Sequence, residues 1–81
     1  MSDWAVYMLR CSDGSLYTGI TTDVERRLDE HNSGNGSKYV RSRLPAKLAY
    51  TEGGHDQSSA LSREAEIKSM TKSEKESLAD E

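Results

Sequence analysis

Two tyrosines, an arginine and a histidine occupy positions at which a small protein would be expected to carry apolar residues. Tyr7 and Tyr17 lie ten residues apart, and Arg27 precedes His31 by four. Phenol and imidazole groups can exchange protons, whereas a guanidinium binds anions through several fixed donors. These residue types therefore indicate acid–base chemistry beside an anionic group, provided that the fold brings them together.

Arg27 and His31 share the apolar stripe of a predicted helix. An α-helix turns about 100° per residue. With Val24 at zero, Arg27 lies at about 300° and His31 at about 340°, so both face the sheet or its rim. A buried unpaired guanidinium is costly, so Arg27 needs a partner or lines a wet cleft. Alternatively, the aliphatic part of the Arg27 side chain packs on the core while its charge points to solvent. His31 would then only interact favourably with the helix dipole.

A second predicted helix turns one carboxylate inward. With Ala60 at zero, Glu64 lies at about 40° and Ile67 at about 340°, whereas Glu66 lies outside that arc at about 240°. Glu64 could form an internal salt bridge with Arg27. It could equally hold a divalent cation, because one or two carboxylates plus waters suit Mg²⁺.

The two tyrosines are predicted to lie on one β-hairpin. Residues 4–11 and 16–21 are rich in strand formers, and Asp13-Gly14 between them is typical of a tight turn. An aromatic cross-strand pair is also a common stabilising arrangement, so the tyrosines alone do not indicate a site. Gly19, inside the second strand, indicates close approach of another backbone or of a ligand.

Turn and capping signals divide the rest of the chain. Thr22-Asp23-Val24-Glu25 predicts a helix start by a capping box with Thr22 as the cap, and Thr71-Lys72-Ser73-Glu74 predicts another. The first helix is predicted to end near residue 31, and a connector with room for one helical turn follows at 35–44. A third strand is predicted at 46–51 and an exposed loop at 52–55. Two further helices are predicted, at 57–69 and after 71. This order predicts a small α+β fold, antiparallel at least in its hairpin.

Length and composition predict one domain over residues 1–81 with a thin core, since only 33% of residues are apolar and none is Phe. The single cysteine, Cys11, excludes an internal disulfide and a cysteine zinc site, which favours a reducing, cytoplasmic setting. No apolar run approaches the roughly 20 residues of a membrane span, and the N-terminus lacks the pattern of a signal peptide. We therefore expect a soluble, cytoplasmic protein with no membrane partner.

The charge is unevenly distributed along the chain. A net charge of −3 argues mildly against nucleic acid as a partner. Residues 36–48, however, carry four basic side chains and no acidic one, and residues 52–81 carry eight acidic side chains. The sequence thus combines a basic middle with an acidic C-terminal third, although a solvated loop and a solvated helix face would give the same pattern.

Taken in chain order, the candidate residues also match a known pattern. Ala5-Val6-Tyr7 and Tyr17-Thr18-Gly19 correspond to the two motifs that give GIY-YIG nucleases their name, with alanine replacing glycine and threonine replacing isoleucine. Together with Arg27, His31 and Glu64 downstream, they make the chain resemble the GIY-YIG nuclease superfamily, and especially its small single-domain, YhbQ-like branch. The stretches similar to that branch are residues 4–9, 17–32, 37–45 and 60–68.

This resemblance implies a three-stranded antiparallel sheet flanked by helices, carrying a metal-dependent site that hydrolyses phosphodiester bonds of DNA or RNA. By position, Tyr7 and Tyr17 match the catalytic motif tyrosines. Arg27 and His31 match the arginine and histidine of the first helix. Glu64 matches the glutamate that binds one Mg²⁺ or Mn²⁺. We expect Tyr7 to act as general base, while His31 accepts or relays the proton or orients the water.

The basic middle segment supplies candidates for binding nucleic acid, most simply DNA. We expect Lys38, Arg41 and Arg43 to contact the backbone and Tyr39 to stack on an exposed base. Binding should be weak and non-specific unless the protein forms a homodimer or joins a repair protein. Two alternatives to the nuclease stay open. One is a non-catalytic module that binds nucleic acid or a repair protein, and the other is a structural domain in which Arg27 and Glu64 pair internally.

Overall fold

A computed structural model describes residues 3–80 and places three strands and four helices within them. In chain order these are β1 (Trp4–Arg10), β2 (Leu16–Thr21), α1 (Val24–Asn32), α2 (Lys38–Arg41), β3 (Lys47–His55), α3 (Gln57–Lys68) and α4 (Lys72–Ala79). The strands form one antiparallel sheet in the order β2-β1-β3. The predicted α+β fold, a three-stranded antiparallel sheet flanked by helices in the order ββαβαα, is confirmed, and α2 is the single turn for which the connector had room.

The central strand β1 is buried on both faces of the sheet. Successive strand residues point to opposite faces, so the apolar run in β1 divides between two layers. The α1–α2 face is built around Tyr7, Leu9, Cys11, Val40 and Ala46, and the α3 face around Val6, Met8, Ala60 and Ile67. The scarce apolar residues are therefore concentrated on one strand and the helices that cover it.

Two predicted boundaries are wrong for local reasons. The cap of α1 is Asp23 rather than Thr22, because the Asp23 carboxylate accepts a hydrogen bond from the backbone N–H of Arg26. The predicted loop at 52–55 is the end of β3, where a β-bulge sets two glycines opposite one residue of β1. Gly54 has a φ of 80° there, which explains why a glycine occupies the bulge. The capping box at Thr71 is present as predicted.

Polar contacts fix the helices on the sheet. The Asn32 side chain at the end of α1 accepts from the backbone N–H of Ala46 at 2.8 Å and donates to its carbonyl at 3.0 Å. Arg10 of β1 forms a two-pronged ion pair with Glu76 of α4. His55, predicted to be exposed, instead contacts Glu52 at 2.7 Å. Within residues 3–80, no helix combines the length and apolar character needed to span a membrane.

Candidate active site

Tyr7 and His31 form a hydrogen-bonded pair inside the protein. The Tyr7 hydroxyl lies 3.0 Å from Nε2 of His31. The two residues are only 2% and 0% exposed. Tyr7 belongs to the central strand, and His31 lies in the last turn of α1 on the face that the helical spacing predicts to point inward. Two polar groups capable of proton transfer are thus held together away from bulk water.

Two glycines make room for this pair. A Cβ on Gly19 would lie 2.6 Å from the Tyr7 hydroxyl oxygen and 2.8 Å from Cζ of the same ring. A Cβ on Gly36 would overlap Nδ1 of His31. The close approach that Gly19 indicates in the sequence is therefore that of the Tyr7 ring. Gly36 was missed, because it stands in an ordinary Gly-Asn-Gly turn segment whose contact with His31 has no local signature.

The buried setting keeps both groups of the pair uncharged. Burial raises the pKa of the Tyr7 phenol above its ordinary value of 10, and the positively charged Arg27 acts in the opposite direction. Burial, assisted by the positive charge of Arg27, lowers the pKa of His31 below its ordinary value of 6.5. Near pH 7, His31 is therefore a neutral imidazole with one N–H, and Tyr7 is a phenol.

The hydrogen bond between Tyr7 and His31 can run in either direction, depending on which ring nitrogen carries the proton. Nδ1 of His31 is buried and has no hydrogen-bond partner among the described residues. With the proton on Nδ1, the Tyr7 hydroxyl donates to Nε2. With the proton on Nε2, His31 donates to the Tyr7 oxygen, and this is the tautomer that would stabilise a phenolate.

Arg27 reaches from this pair toward the surface. Its side chain is 32% exposed, and one guanidinium nitrogen lies 3.3 Å from a carboxylate oxygen of Glu30. Its positive charge opposes the rise that burial causes in the pKa of the Tyr7 phenol. Part of the guanidinium group remains accessible to solvent, as an anion-binding role requires.

Tyr17 connects the buried pair to helix α2. Its ring meets the His31 ring edge-on with centroids 5.4 Å apart, and it stacks against the Tyr39 ring at 6.0 Å. The Arg43 guanidinium covers Tyr39 at 3.9 Å from the ring centroid. Tyr7 and Tyr17 thus do more than form a cross-strand pair, because both of their rings lie near the same imidazole.

Glu64 approaches the site from helix α3, which covers the opposite face of the sheet. Its side chain is 19% exposed, and its carboxylate lies 3.3 Å from Nζ of Lys68. Its negative charge makes the smallest of the contributions to the rise in the pKa of Tyr7, after burial and the charge of Tyr17. The suggested internal salt bridge between Arg27 and Glu64 is wrong, because Arg27 pairs with Glu30 and Glu64 with Lys68.

The surroundings of Glu64 suit a metal site that water and substrate complete, and not one in which protein side chains supply all the ligands. Within the described range 3–80, no three His, Cys, Asp or Glu side chains come together as a ligand set. Mg²⁺ commonly keeps several waters and takes only one or two carboxylates, with substrate phosphate oxygens as further ligands. A single half-buried carboxylate whose present partner is an exposed lysine fits that pattern.

An open cleft of about 300 Å³ runs along the free edge of β2 beside these residues. We call it the β2-edge cleft. It is lined by Leu16, Tyr17, Thr18, Tyr39, Lys68 and Lys75. The lysines were missed in the sequence, although the spacing of four between Glu64 and Lys68 is a recognisable signal for an ion pair on a helix. Lys75 had no such signal.

The residues predicted to bind nucleic acid lie on and after α2. Lys38 and Arg41 are exposed on this helix. Arg43 is half-buried and pairs with Asp13 at 2.9 Å while its guanidinium lies over Tyr39. Lys38 and Arg41 are therefore the accessible cations of the set, and Arg43 fixes the Tyr39 ring.

The family model of the GIY-YIG catalytic domain matches residues 3–77 of the chain. The chain belongs to the GIY-YIG family. This is a nuclease family, and the two motifs with their replacements Ala5 and Thr18 fall within the matched region.

Relatives and solved structures agree with this membership. A UPF0213 protein from Haloquadratum walsbyi is 58% identical over 76 residues, which cover 94% of this chain and 85% of the relative. A UPF0213 protein from Streptococcus agalactiae is 53% identical over 70 residues, covering 86% of this chain and 80% of the relative. The solution NMR structure of a UPF0213 protein from Bacillus halodurans superposes with a TM-score of 0.61 at 44% identity, over 95% of this chain and 82% of that one. This GIY-YIG chain is thus similar to small UPF0213 proteins over most of its length.

Proposed function

We propose that this GIY-YIG protein is a divalent-metal-dependent endonuclease that hydrolyses phosphodiester bonds of DNA, or of RNA. One observation carries the proposal: the buried Tyr7 hydroxyl is held at 3.0 Å from His31, and the positive charge of Arg27 opposes the rise that burial causes in its pKa. The charge of the Glu64 carboxylate, which can hold a metal, also acts on this phenol. A structural core would not require this combination of polar groups around one oxygen atom.

Tyr7 is the general base in this proposal. Hydrolysis requires a water to lose a proton as it attacks phosphorus. The phenolate that accepts this proton would be stabilised by the N–H of His31 and by the charge of Arg27. His31 is fully buried and hydrogen-bonded to the Tyr7 hydroxyl, so in this proposal it acts as a positioning residue and does not touch the substrate.

Arg27 and Tyr17 contact the scissile phosphate. The exposed part of the Arg27 guanidinium can donate to two phosphate oxygens and neutralise charge that develops in the transition state. Tyr17 is half-buried at the boundary between the aromatic cluster and the cleft, where its hydroxyl can reach a phosphate oxygen. The site therefore has one base and two groups that stabilise the phosphate.

Glu64 is the residue that would hold one Mg²⁺ or Mn²⁺. When bound, such an ion supplies Lewis-acid stabilisation of the phosphate and of the leaving oxygen. Lys68 must then leave the carboxylate, and its exposed side chain is free to turn toward a phosphate.

The exposed residues of α2 support binding to nucleic acid. Lys38 and Arg41 can follow a sugar–phosphate backbone, and Tyr39 with Arg43 provides an aromatic–cationic surface beside it. We place this activity in DNA repair or processing within a reducing, cytoplasmic setting, which agrees with the unpaired thiol of Cys11. A repair protein or a second copy of the chain would supply additional binding energy.

A second function is favoured by the burial of the central pair. Because Tyr7 and His31 are almost sealed and Glu64 is neutralised by Lys68, the chain could bind nucleic acid without cutting it. In that function the aromatic cluster is a rigid support for α2. The two functions differ in whether product forms, and not in whether the strand binds.

The test is incubation of the purified protein with single-stranded, branched and duplex substrates in Mg²⁺, Mn²⁺ or EDTA. We expect cleavage that depends on metal and disappears in Glu64→Ala. Glu66→Ala is the matched control, because Glu66 lies on the same helix but faces solvent. Cleavage that persists in Glu64→Ala indicates a contaminating nuclease, and binding without product by the wild type favours the non-catalytic module.

A further inference from the structure

The β2-edge cleft has features of a binding site that the five candidate active-site residues do not explain. It is formed by four separate elements, with Leu16, Tyr17 and Thr18 from β2, Tyr39 from α2, Lys68 from α3 and Lys75 from α4. Its volume of about 300 Å³ is at the lower end of the range for pockets that bind small ligands. A nucleotide-sized group is therefore the largest occupant that it can enclose.

The charge of the cleft is opposite to that of the chain. The protein has 14 acidic and 11 basic residues, and its C-terminal third is acidic. Even so, among the residues that the structure describes, the charged ones that line the cleft are Lys68 and Lys75, both of which come from that acidic third. Two lysines that converge from different helices on one open cavity are suited to an anion such as a phosphate.

A buried hydroxyl in the cleft wall also lacks a partner. Thr18 lines the cleft and is only 3% exposed, and its Oγ1 has no hydrogen bond to any described residue. Buried polar atoms in native proteins nearly always have a partner, so an isolated one needs an explanation. This oxygen is itself covered by protein, so the polar contacts that a ligand could make in the cleft are those of Lys68 and Lys75.

The aromatic part of the lining indicates what is attached to the phosphate. Tyr17 and Tyr39 stack on each other and, with Leu16, form the apolar wall. In a duplex the bases are paired and stacked inside, so only the backbone could reach this wall. In an unpaired strand the base or sugar can pack against tyrosine rings while the phosphate meets the lysines.

We propose that the β2-edge cleft binds one unpaired nucleotide of the substrate strand, with its phosphate between Lys68 and Lys75 and its base or sugar against Tyr17 and Tyr39. The inference rests on the proposed function, because it identifies the bound nucleotide as a neighbour of the one that is cut. Lys68 joins the two sites, since it lines the cleft and also contacts the Glu64 carboxylate at 3.3 Å. The substrate class is therefore single-stranded or splayed nucleic acid.

The test measures binding separately from cleavage. The affinity of the full chain for a fluorescent ten-nucleotide oligo-dT strand is measured by anisotropy in EDTA at several salt concentrations. Lys75→Met is compared with Lys72→Met, a matched change on the same helix that lies outside the cleft lining. For single strands each phosphate contact contributes about 0.7 to the salt slope, so Lys75→Met should reduce the slope by about 0.7 and the affinity about fivefold at 0.1 M salt. Lys75→Arg should restore most of the affinity, and circular dichroism verifies that each variant is folded.

The outcomes distinguish the cleft from the nuclease. Equal affinities of Lys75→Met and Lys72→Met would overturn the cleft proposal, as would equally tight, Lys75-dependent binding of a duplex of the same length. If the wild type then cuts single strands in Mg²⁺, the nuclease proposal stands without the cleft. Lys75-dependent binding of the single strand with no cleavage in Mg²⁺ or Mn²⁺ supports the cleft and rejects the nuclease.

Discussion

The Tyr7 hydroxyl and Nε2 of His31 are 3.0 Å apart in the interior of the protein, although 24 residues separate them in the chain. Their contact joins the central strand of the sheet to the last turn of helix α1. The Tyr17 ring lies beside the same imidazole, so the pair and Tyr17 form one buried to half-buried cluster.

The pH dependence of cleavage should identify the general base. Because burial raises the pKa of Tyr7, the fraction of phenolate increases throughout the accessible range, and kcat/KM should still rise between pH 7 and pH 9. If His31 were the base, its lowered pKa would produce a plateau already near neutral pH. Initial rates measured across this range with a single-stranded substrate distinguish the two, and Tyr50→Phe, outside the site, should leave the profile unchanged.

The folding stability should depend on pH through His31. Its pKa in the folded protein is lowered, so below about pH 6.5 the unfolded chain binds a proton that the folded chain does not. The free energy of unfolding should therefore fall as the pH decreases from 7.5 to 5.5, by at most about 1.4 kcal/mol per pH unit from this residue. Urea unfolding of His31→Gln should show a smaller fall than the wild type. Equal slopes in the wild type and His31→Gln would contradict the assignment.

Gly36 should be sensitive to the smallest possible side chain. The Cβ of Gly36→Ala would overlap His31 Nδ1, so the imidazole or the turn must move. Overpacking of this kind costs about 1–3 kcal/mol, and the displaced His31 should also reduce cleavage. Gly53→Ala is the matched control because nothing lies within 4 Å of its added Cβ. Thermal unfolding should show a lower Tm for Gly36→Ala alone, and equal Tm values would show that the ring is free to move.

Lys68 should compete with the metal for Glu64. The pair lies on one helix at a spacing of four, and such exposed pairs contribute about 0.3–0.5 kcal/mol. Its removal in Lys68→Met should therefore tighten Mn²⁺ binding about twofold, as measured by calorimetry without nucleic acid. Lys72→Met should have no effect. Weaker binding in Lys68→Met would mean that the ion does not use this carboxylate.

The sequence predicted what local patterns determine and missed what depends on distant contacts. The hairpin, the capping box at Thr71 and the inward direction of His31 follow from neighbouring residues, and the structure has all three. The extension of β3 to His55 depends on pairing with the start of β1, and a bulge accommodates the glycines that favoured a loop. Strand propensity alone could not show this.

The same distinction applies to the site. The spacing within each helix predicted which residues turn inward, but not which charged partner each would choose. Arg27 and Glu64 lie on helices that cover opposite faces of the sheet. Each forms an ion pair with a residue three or four positions away on its own helix. Lys75 acquires its significance only when the chain is folded, because the cleft brings α4 next to β2 and α2. Gly36 lies only five residues after His31, but the path of the turn that follows α1 decides whether it approaches the imidazole.

The most direct test is the single-turnover cleavage of an end-labelled single strand in Mg²⁺ by the wild type, Tyr7→Phe, Glu64→Gln and the double variant. We predict a loss of about 10²–10⁴ in rate for Tyr7→Phe, a loss of at least the same order for Glu64→Gln, and little further loss in the double variant, since the two groups act on one reaction. Folded variants that cut as fast as the wild type, or a wild type that binds the strand and never cuts it, would contradict the account.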